Sequence, residues 1–249
     1  MSNLNWLVAR PIAHRGLHDR ANGIVENTVT AAEAAIAGNF AIECDVQLTA
    51  DGEAVVFHDF TLDRLTGETG DVVQRRASDL ARTGIAGSEA DTIPTLSAFL
   101  DSIAGRVPLV VEVKSRFDGN PALTRRTCEV LSTYGGPAVI KSFDPKVVAE
   151  VRRIAPAIPR GIVAESHHTD KSYASLTEDQ KHALGNLLHF EESQPQFVSW
   201  RVGDLPAAAP YLARVLGHLP VMTWTVRTPD DRARAAKHAD QMVFEGFRP

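Results

Sequence analysis

FAIECDVQLTADGEAVVFHD, residues 40–59, is the stretch whose reading decides the fold. Phe40, Ile42, Cys44, Val46 and Leu48 alternate with Ala41, Glu43, Asp45 and Gln47, the period-2 signature of a strand over residues 40–48. Glu43 and Asp45 therefore project to one face, and Ile42, Cys44 and Val46 to the other. Two carboxylates side by side repel unless a cation sits between them or a proton is shared. Asp51-Gly52 is a hairpin turn signal. Residues 54–57 return as a short strand and deliver His58-Asp59. One compact unit thus brings two carboxylates and an imidazole together, more chemistry than a solvated strand face requires.

Outward from this unit, strand-like and helix-like segments alternate. Strands are predicted at residues 7–13, 40–48, 108–114, 138–142, 160–164, 196–202, 221–226 and 241–245. Helices are predicted at 28–37, 96–103, 121–134, 145–154, 177–189, 206–216 and 229–238, with Asn27 or Thr28 as cap of the first. Residues 60–93 read as polar and Gly-rich, with a helical turn or two near 77–82. Eight strands with intervening helices fit an α/β fold of the TIM (β/α)8 barrel type, which takes about 250 residues. A doubly wound open sheet is the alternative, but no Gly-rich phosphate loop follows the first strand. Residues 1–249 are expected to form one domain, since no linker composition interrupts them.

Composition sets the outer bounds. The 249 residues are 44% hydrophobic and carry a formal net charge of −5, which gives no support for nonspecific nucleic-acid binding. Cys44 and Cys128 form no CxxC pattern and suit a reducing compartment. Residues 1–10 lack a signal-peptide pattern, and no stretch approaches the roughly 20 apolar residues of a membrane span. A cytoplasmic protein without stable membrane insertion is expected. Composition leaves the oligomeric state open.

Barrel active sites lie at the C-terminal ends of the strands, and the polar residues gather there. The strands end in His14-Arg15, Glu43-x-Asp45, Glu112-x-Lys114 and Lys141-Ser142; the seventh carries Trp224, and the last ends at Glu245. Glu43, Asp45 and Glu112 make a hard-oxygen site, suited to Mg²⁺ or Ca²⁺ rather than Zn²⁺. His14 and His58 flank it as candidate general acid and general base. Arg15 and Lys114 add positive charge, so the constellation fits an anionic, phosphoryl-like small-molecule substrate. A Schiff-base lyase using Lys114 or Lys141 and a noncatalytic phosphodiester-binding protein are rival readings. The first has no need of three carboxylates, and the second usually lacks a catalytic residue.

The ordered motifs resemble those of the glycerophosphodiester phosphodiesterases. They are AHRG at 13–16, ENT at 26–28, ECDVQLTADGEAVVFHD at 43–59, LDRLTG at 62–67, IPTL at 93–96, VEVK at 111–114, SFD at 142–144 and TWTV at 223–226. The resemblance implies a TIM barrel and metal-dependent hydrolysis of a glycerophosphodiester to an alcohol and sn-glycerol 3-phosphate. It implies Glu43, Asp45 and Glu112 as metal ligands and His14 and His58 as the acid–base pair. It places Arg15 and Lys114 on the phosphate and Trp224 in the substrate cleft. The nucleophile is either water or the glycerol 2-hydroxyl. Glu26 and Asn27 match a motif at the edge of the site, with a helix cap as the alternative role for Asn27. Family members often end their last strand in a Thr-Asp-x-Pro type sequence. Residues 243–247 read VFEGF, so Glu245 takes the place of that aspartate. Residues 60–93 resemble the compact form of a region that glycerol-specific members expand into a subdomain. A related class that cyclises choline phospholipids is secreted and disulfide-bonded, which Cys44 and Cys128 do not support.

Overall fold

The computed structural model describes residues 4–170 and 173–249. Its strands are β1 (Ile12–Ala13), β2 (Ala41–Leu48), β3 (Ala54–Val56), β4 (Leu109–Val113), β5 (Ala138–Ser142), β6 (Arg160–Ala164), β7 (Phe197–Arg201), β8 (Val221–Val226) and β9 (Gln241–Phe244). All pair in parallel except β3, which folds back antiparallel on β2, and pairing of β1 with both β2 and β9 closes the barrel. The chain is therefore a closed eight-stranded parallel barrel with flanking helices. These are α1 (Val29–Ala37), α2 (Ala77–Leu80), α3 (Leu96–Ile103), α4 (Ala122–Ser132), α5 (Pro145–Ile154), α6 (Glu178–Gly185), α7 (Phe190–Ser193), α8 (Ala208–Val215) and α9 (Pro229–His238).

Alternation along the strands divides the core in two. Ile42, Cys44, Val46, Val111, Val113 and Ile140 face outward and pack with helix residues such as Ala32, Ala35, Phe99, Leu100 and Leu131. Ile12, Ala41, Val110, Val139, Phe197, Met222 and Val243 form a second cluster, which Leu4 and Leu7 join. Gly161 makes room for one of these: a Cβ there would lie 2.2 Å from the Phe197 ring. Two residues further along β2, β4 and β5, the same face carries Glu43, Glu112 and Lys141. The apolar cluster thus underlies the polar mouth.

The first predicted strand is shorter than its sequence pattern. Asn5–Leu7 is a 3₁₀ turn and only Ile12–Ala13 pairs, because Leu7 leaves the strand path to join the apolar cluster. The predicted helix at 177–189 is shorter than its sequence pattern: α6 ends at Gly185, Leu187 holds left-handed backbone, and α7 starts only beyond the predicted range. Lys171 and Ser172, in the predicted polar stretch 165–175, and residues 1–3 of the N-terminal reading lie outside the described residues. The polar segment after β3 builds a small core of its own. Phe57, Leu62, Leu65, Val72, Leu80, Ile85 and Ile93 bury together with Val25 and Val55.

Candidate active site

The HRG sequence turns sharply after β1. Arg15 and Gly16 both hold left-handed backbone, with φ of 57° and 79°. A Cβ at Gly16 would approach Ala31 of α1 to 2.8 Å, so glycine lets the turn lie against the helix. The turn points the Arg15 N–H at Glu43, whose Oε2 accepts it at 3.0 Å. Asn27, also left-handed with φ of 59°, clasps Asp45 from both sides. Its Nδ2 donates to Asp45 Oδ2 at 2.9 Å, and its Oδ1 accepts the Asp45 N–H at 3.1 Å. The cap of α1 is Thr28, whose side chain accepts from the Ala31 N–H, so Asn27 is free for the clasp.

Glu43, Asp45 and Glu112 each offer one carboxylate oxygen within 4.8 Å of the others. Asp45 and Glu112 are register partners on β2 and β4. All three are buried, and Asp45 is only 1% exposed. The carboxylates are thus closed off from solvent although they stand at the strand ends. Three cations face them, Lys141 buried and Lys114 and Arg15 half-buried. Lys114 Nζ lies 2.7 Å from Asp45 Oδ1 and donates to Glu112 Oε1. Lys141 Nζ lies 2.9 Å from Glu43 Oε1 and 3.1 Å from Glu112 Oε2. Arg15 Nε lies 3.4 Å from Asp45, and its Nη1 donates to Glu26 at 2.7 Å.

These charges hold one another ionised. Burial alone would raise the Asp45 carboxyl, but Lys114, His58 and Arg15 hold it well below the ordinary carboxylate range. Burial opposes ionisation of Glu112 too, yet Lys114 and Lys141 bring it down to about 2. Lys114 and Lys141 are raised by the same contacts against their own burial. A Schiff-base nucleophile needs a neutral amine, so neither lysine suits the lyase reading. Three clustered carboxylates fit a hard divalent cation such as Mg²⁺ or Ca²⁺, which takes oxygen ligands.

Each candidate histidine has a carboxylate on its Nδ1. His14 Nδ1 bonds Glu245 Oε2, and β1 meets β9 where the barrel closes. Glu245 also accepts from Arg227 Nε at 2.6 Å, and His18 Nε2 lies 3.6 Å away. Burial works against the Glu245 charge, but His14, His18 and Arg227 depress its carboxyl strongly. His58 Nδ1 lies 2.7 Å from Asp59 Oδ1, and Asp59 in turn pairs with Arg64. A carboxylate accepts an N–H, so each ring carries its Nδ1 proton towards the carboxylate and leaves Nε2 as its other functional atom.

The sequence missed these orienting carboxylates, although Asp59 adjoins His58 in the chain. Glu245 is distant in sequence and becomes a partner of His14 only through closure. Trp224 lies within β8, half-buried, with its Nε1 donating to Ser199 O at 3.0 Å. Its ring meets Phe143 edge-on at 5.3 Å, and Phe143, Tyr173 and Phe117 continue the aromatic wall. Beyond it, Glu165 accepts from Tyr173 Oη at 2.8 Å and pairs with Arg201.

The fold and the site define a (β/α)8-barrel protein with a buried acidic triad that could hold a cation. The family model for the glycerophosphoryl diester phosphodiesterase family matches residues 14–244. The chain belongs to that family and is a hydrolase. A glycerophosphodiester phosphodiesterase of Caldanaerobacter subterraneus is 34% identical over 161 residues, covering 61% of this chain and 65% of the relative. A glycerophosphodiester phosphodiesterase of Bacillus subtilis is 28% identical over 200 residues, covering 70% and 66%. Among solved structures, an Oleispira antarctica phosphodiesterase in complex with the product sn-glycerol-3-phosphate superposes with a TM-score of 0.75. It is 20% identical, with 96% of this chain and 94% of that chain covered. No helix among the described residues is long and apolar enough to cross a membrane.

Proposed function

We propose that this chain, acting as one domain over residues 1–249, hydrolyses glycerophosphodiesters to an alcohol and sn-glycerol 3-phosphate. One observation carries the reading. Two imidazoles, each tied through Nδ1 to a carboxylate, stand at the barrel mouth that holds three buried carboxylates. Family membership and the product-bound neighbour support the same chemistry.

Glu43, Asp45 and Glu112 would hold a divalent cation, Mg²⁺ or Ca²⁺. When bound, that cation supplies a Lewis acid for a phosphoryl oxygen. Arg15 and Lys114 bind the nonbridging oxygens and offset charge as it builds. One histidine accepts, at Nε2, the proton of water or of the glycerol 2-hydroxyl; in the second case a cyclic phosphate forms, and water opens it in a further step to sn-glycerol 3-phosphate. The other gives its Nε2 proton to the leaving alkoxide. Glu245 and Asp59 keep both rings turned and stabilise the protonated forms. Trp224 lines the cleft from β8, separated from β1 by β9. We place the enzyme in the cytoplasm, where the free, buried Cys44 and Cys128 remain reduced.

The test is release of sn-glycerol 3-phosphate from a panel of glycerophosphodiesters, each with and without MgCl₂ and CaCl₂. The wild type should release it, and His14→Ala and His58→Ala should lose most turnover. Near wild-type rates in both variants would remove the acid–base assignment.

A further inference from the structure

Lys141 takes no part in the steps above, yet it sits among the carboxylates. Its side chain is 2% exposed, against 14% for Lys114. Its place is set by the backbone, because Lys141 on β5 is the direct register partner of Glu112 on β4. The two lysines also divide Glu112 between them, Lys114 at Oε1 and Lys141 at Oε2. Lys114 reaches down from the rim and can turn towards an anion in the cleft. Lys141 is walled in, and among the described residues only Glu43 and Glu112 lie within ion-pair distance of it.

We infer that Lys141 is a positioning residue and a resident counter-charge: it holds Glu43 and Glu112 together and weakens the carboxylate cluster's grip on a divalent cation. This rests on reading Glu43, Asp45 and Glu112 as cation ligands. Carboxylates at this separation repel, and a fixed ammonium beside two of them offsets part of the repulsion. The same ammonium repels any dication those carboxylates bind. A site served by three carboxylates and no such lysine would hold a dication more tightly and release it more slowly. If Lys141 served only as a hydrogen-bond donor, the opposite would follow. Its loss would then loosen Glu43 and Glu112 and weaken binding.

The experiment is calorimetric titration of MgCl₂ and CaCl₂ into chelator-treated full-length protein, as wild type, Lys141→Met and Lys141→Gln. Met keeps volume without charge, and Gln keeps a donor without charge. Both variants should bind at least about tenfold more tightly than wild type, from the removed repulsion between a unit charge and a dication. Both should melt lower without cation and gain more in melting temperature when CaCl₂ is added. Equal or weaker affinity in either folded variant, with the wild type binding, would overturn the inference and leave the ligand assignment standing. A wild type that binds neither cation would remove both. Should neither variant fold in chelator, folding restored by CaCl₂ supports the counter-charge. Unfolding that no cation reverses overturns it and makes Lys141 a packing element.

Discussion

Replacing Asn27 by Ala tests whether the clasp on Asp45 is a main support of the site. Asn27 and Asp45 are both buried, so water cannot replace what is lost. The Asn27 Nδ2 bond serves an ionised carboxylate, a contact worth about 1.5–3 kcal/mol. The Asp45 N–H, left without its Asn27 acceptor, costs about 1–3 kcal/mol more. Alanine also tolerates the left-handed backbone less well than asparagine, by about 1 kcal/mol. Allowing for overlap between these contributions, the loss should be about 4 kcal/mol. In a chain of this size that corresponds to about 8–16 °C in melting temperature. Urea unfolding followed by circular dichroism measures it. Asn27→Gly relieves the backbone without restoring the bonds, so it should recover only about 1 kcal/mol. A loss below about 1 kcal/mol in Asn27→Ala, or full recovery in Asn27→Gly, would refute the reasoning.

Other outcomes follow from the same contacts. His58→Ala should lower kcat by about 10²–10⁴-fold, and a nitrophenyl diester should lose less on removal of whichever histidine is the acid, as steady-state kinetics will show. Glu245→Gln should lower kcat by about 10²-fold or more with little change in KM, because the amide has no charge to stabilise the protonated His14 ring and can turn its NH₂ to Nδ1, favouring the other tautomer. Glu112 and Glu26 are each held down to about 2 against burial, the first by Lys114 and Lys141 and the second by Arg64 and Arg15. Their stabilisation is therefore complete above the unfolded value of about 4.3 and is lost as pH falls towards 2. Thermal melts from pH 6 to pH 2 should show that fall, and Glu26→Gln should flatten it.

Much of this arrangement was legible in the sequence, and the reasons are local. Period-2 alternation in residues 40–48 sets Glu43 and Asp45 on one face and Cys44 on the other, and the barrel preserves that division. Pro145–Ile154 and Pro229–His238 carry proline at their first helical position, and Leu96–Ile103 follows the capping Thr95, so their bounds read directly. The illegible parts depend on distant segments. Nothing in residues 7–10 says that Leu7 turns inward with the apolar cluster. The depth of Asp45 depends on how Asn27, Arg15 and Lys114 close over it. The partnership of Glu245 with His14 requires the last strand to lie beside the first. Lys141 has an ordinary strand-end position in sequence, and only the β4–β5 register makes it a partner of Glu112.

The central claim is that three buried carboxylates and two oriented imidazoles cleave a glycerophosphodiester with the help of a divalent cation. Phosphorus NMR of glycerophosphocholine and glycerophosphoethanolamine, incubated with chelator-treated wild type and with Asp45→Asn, tests it most directly. Asp45→Asn keeps the shape of the side chain and removes its charge. The sn-glycerol 3-phosphate resonance should appear only with wild type, and only after MgCl₂ or CaCl₂ is added. Its appearance at an undiminished rate in chelator, or in Asp45→Asn, would contradict the account.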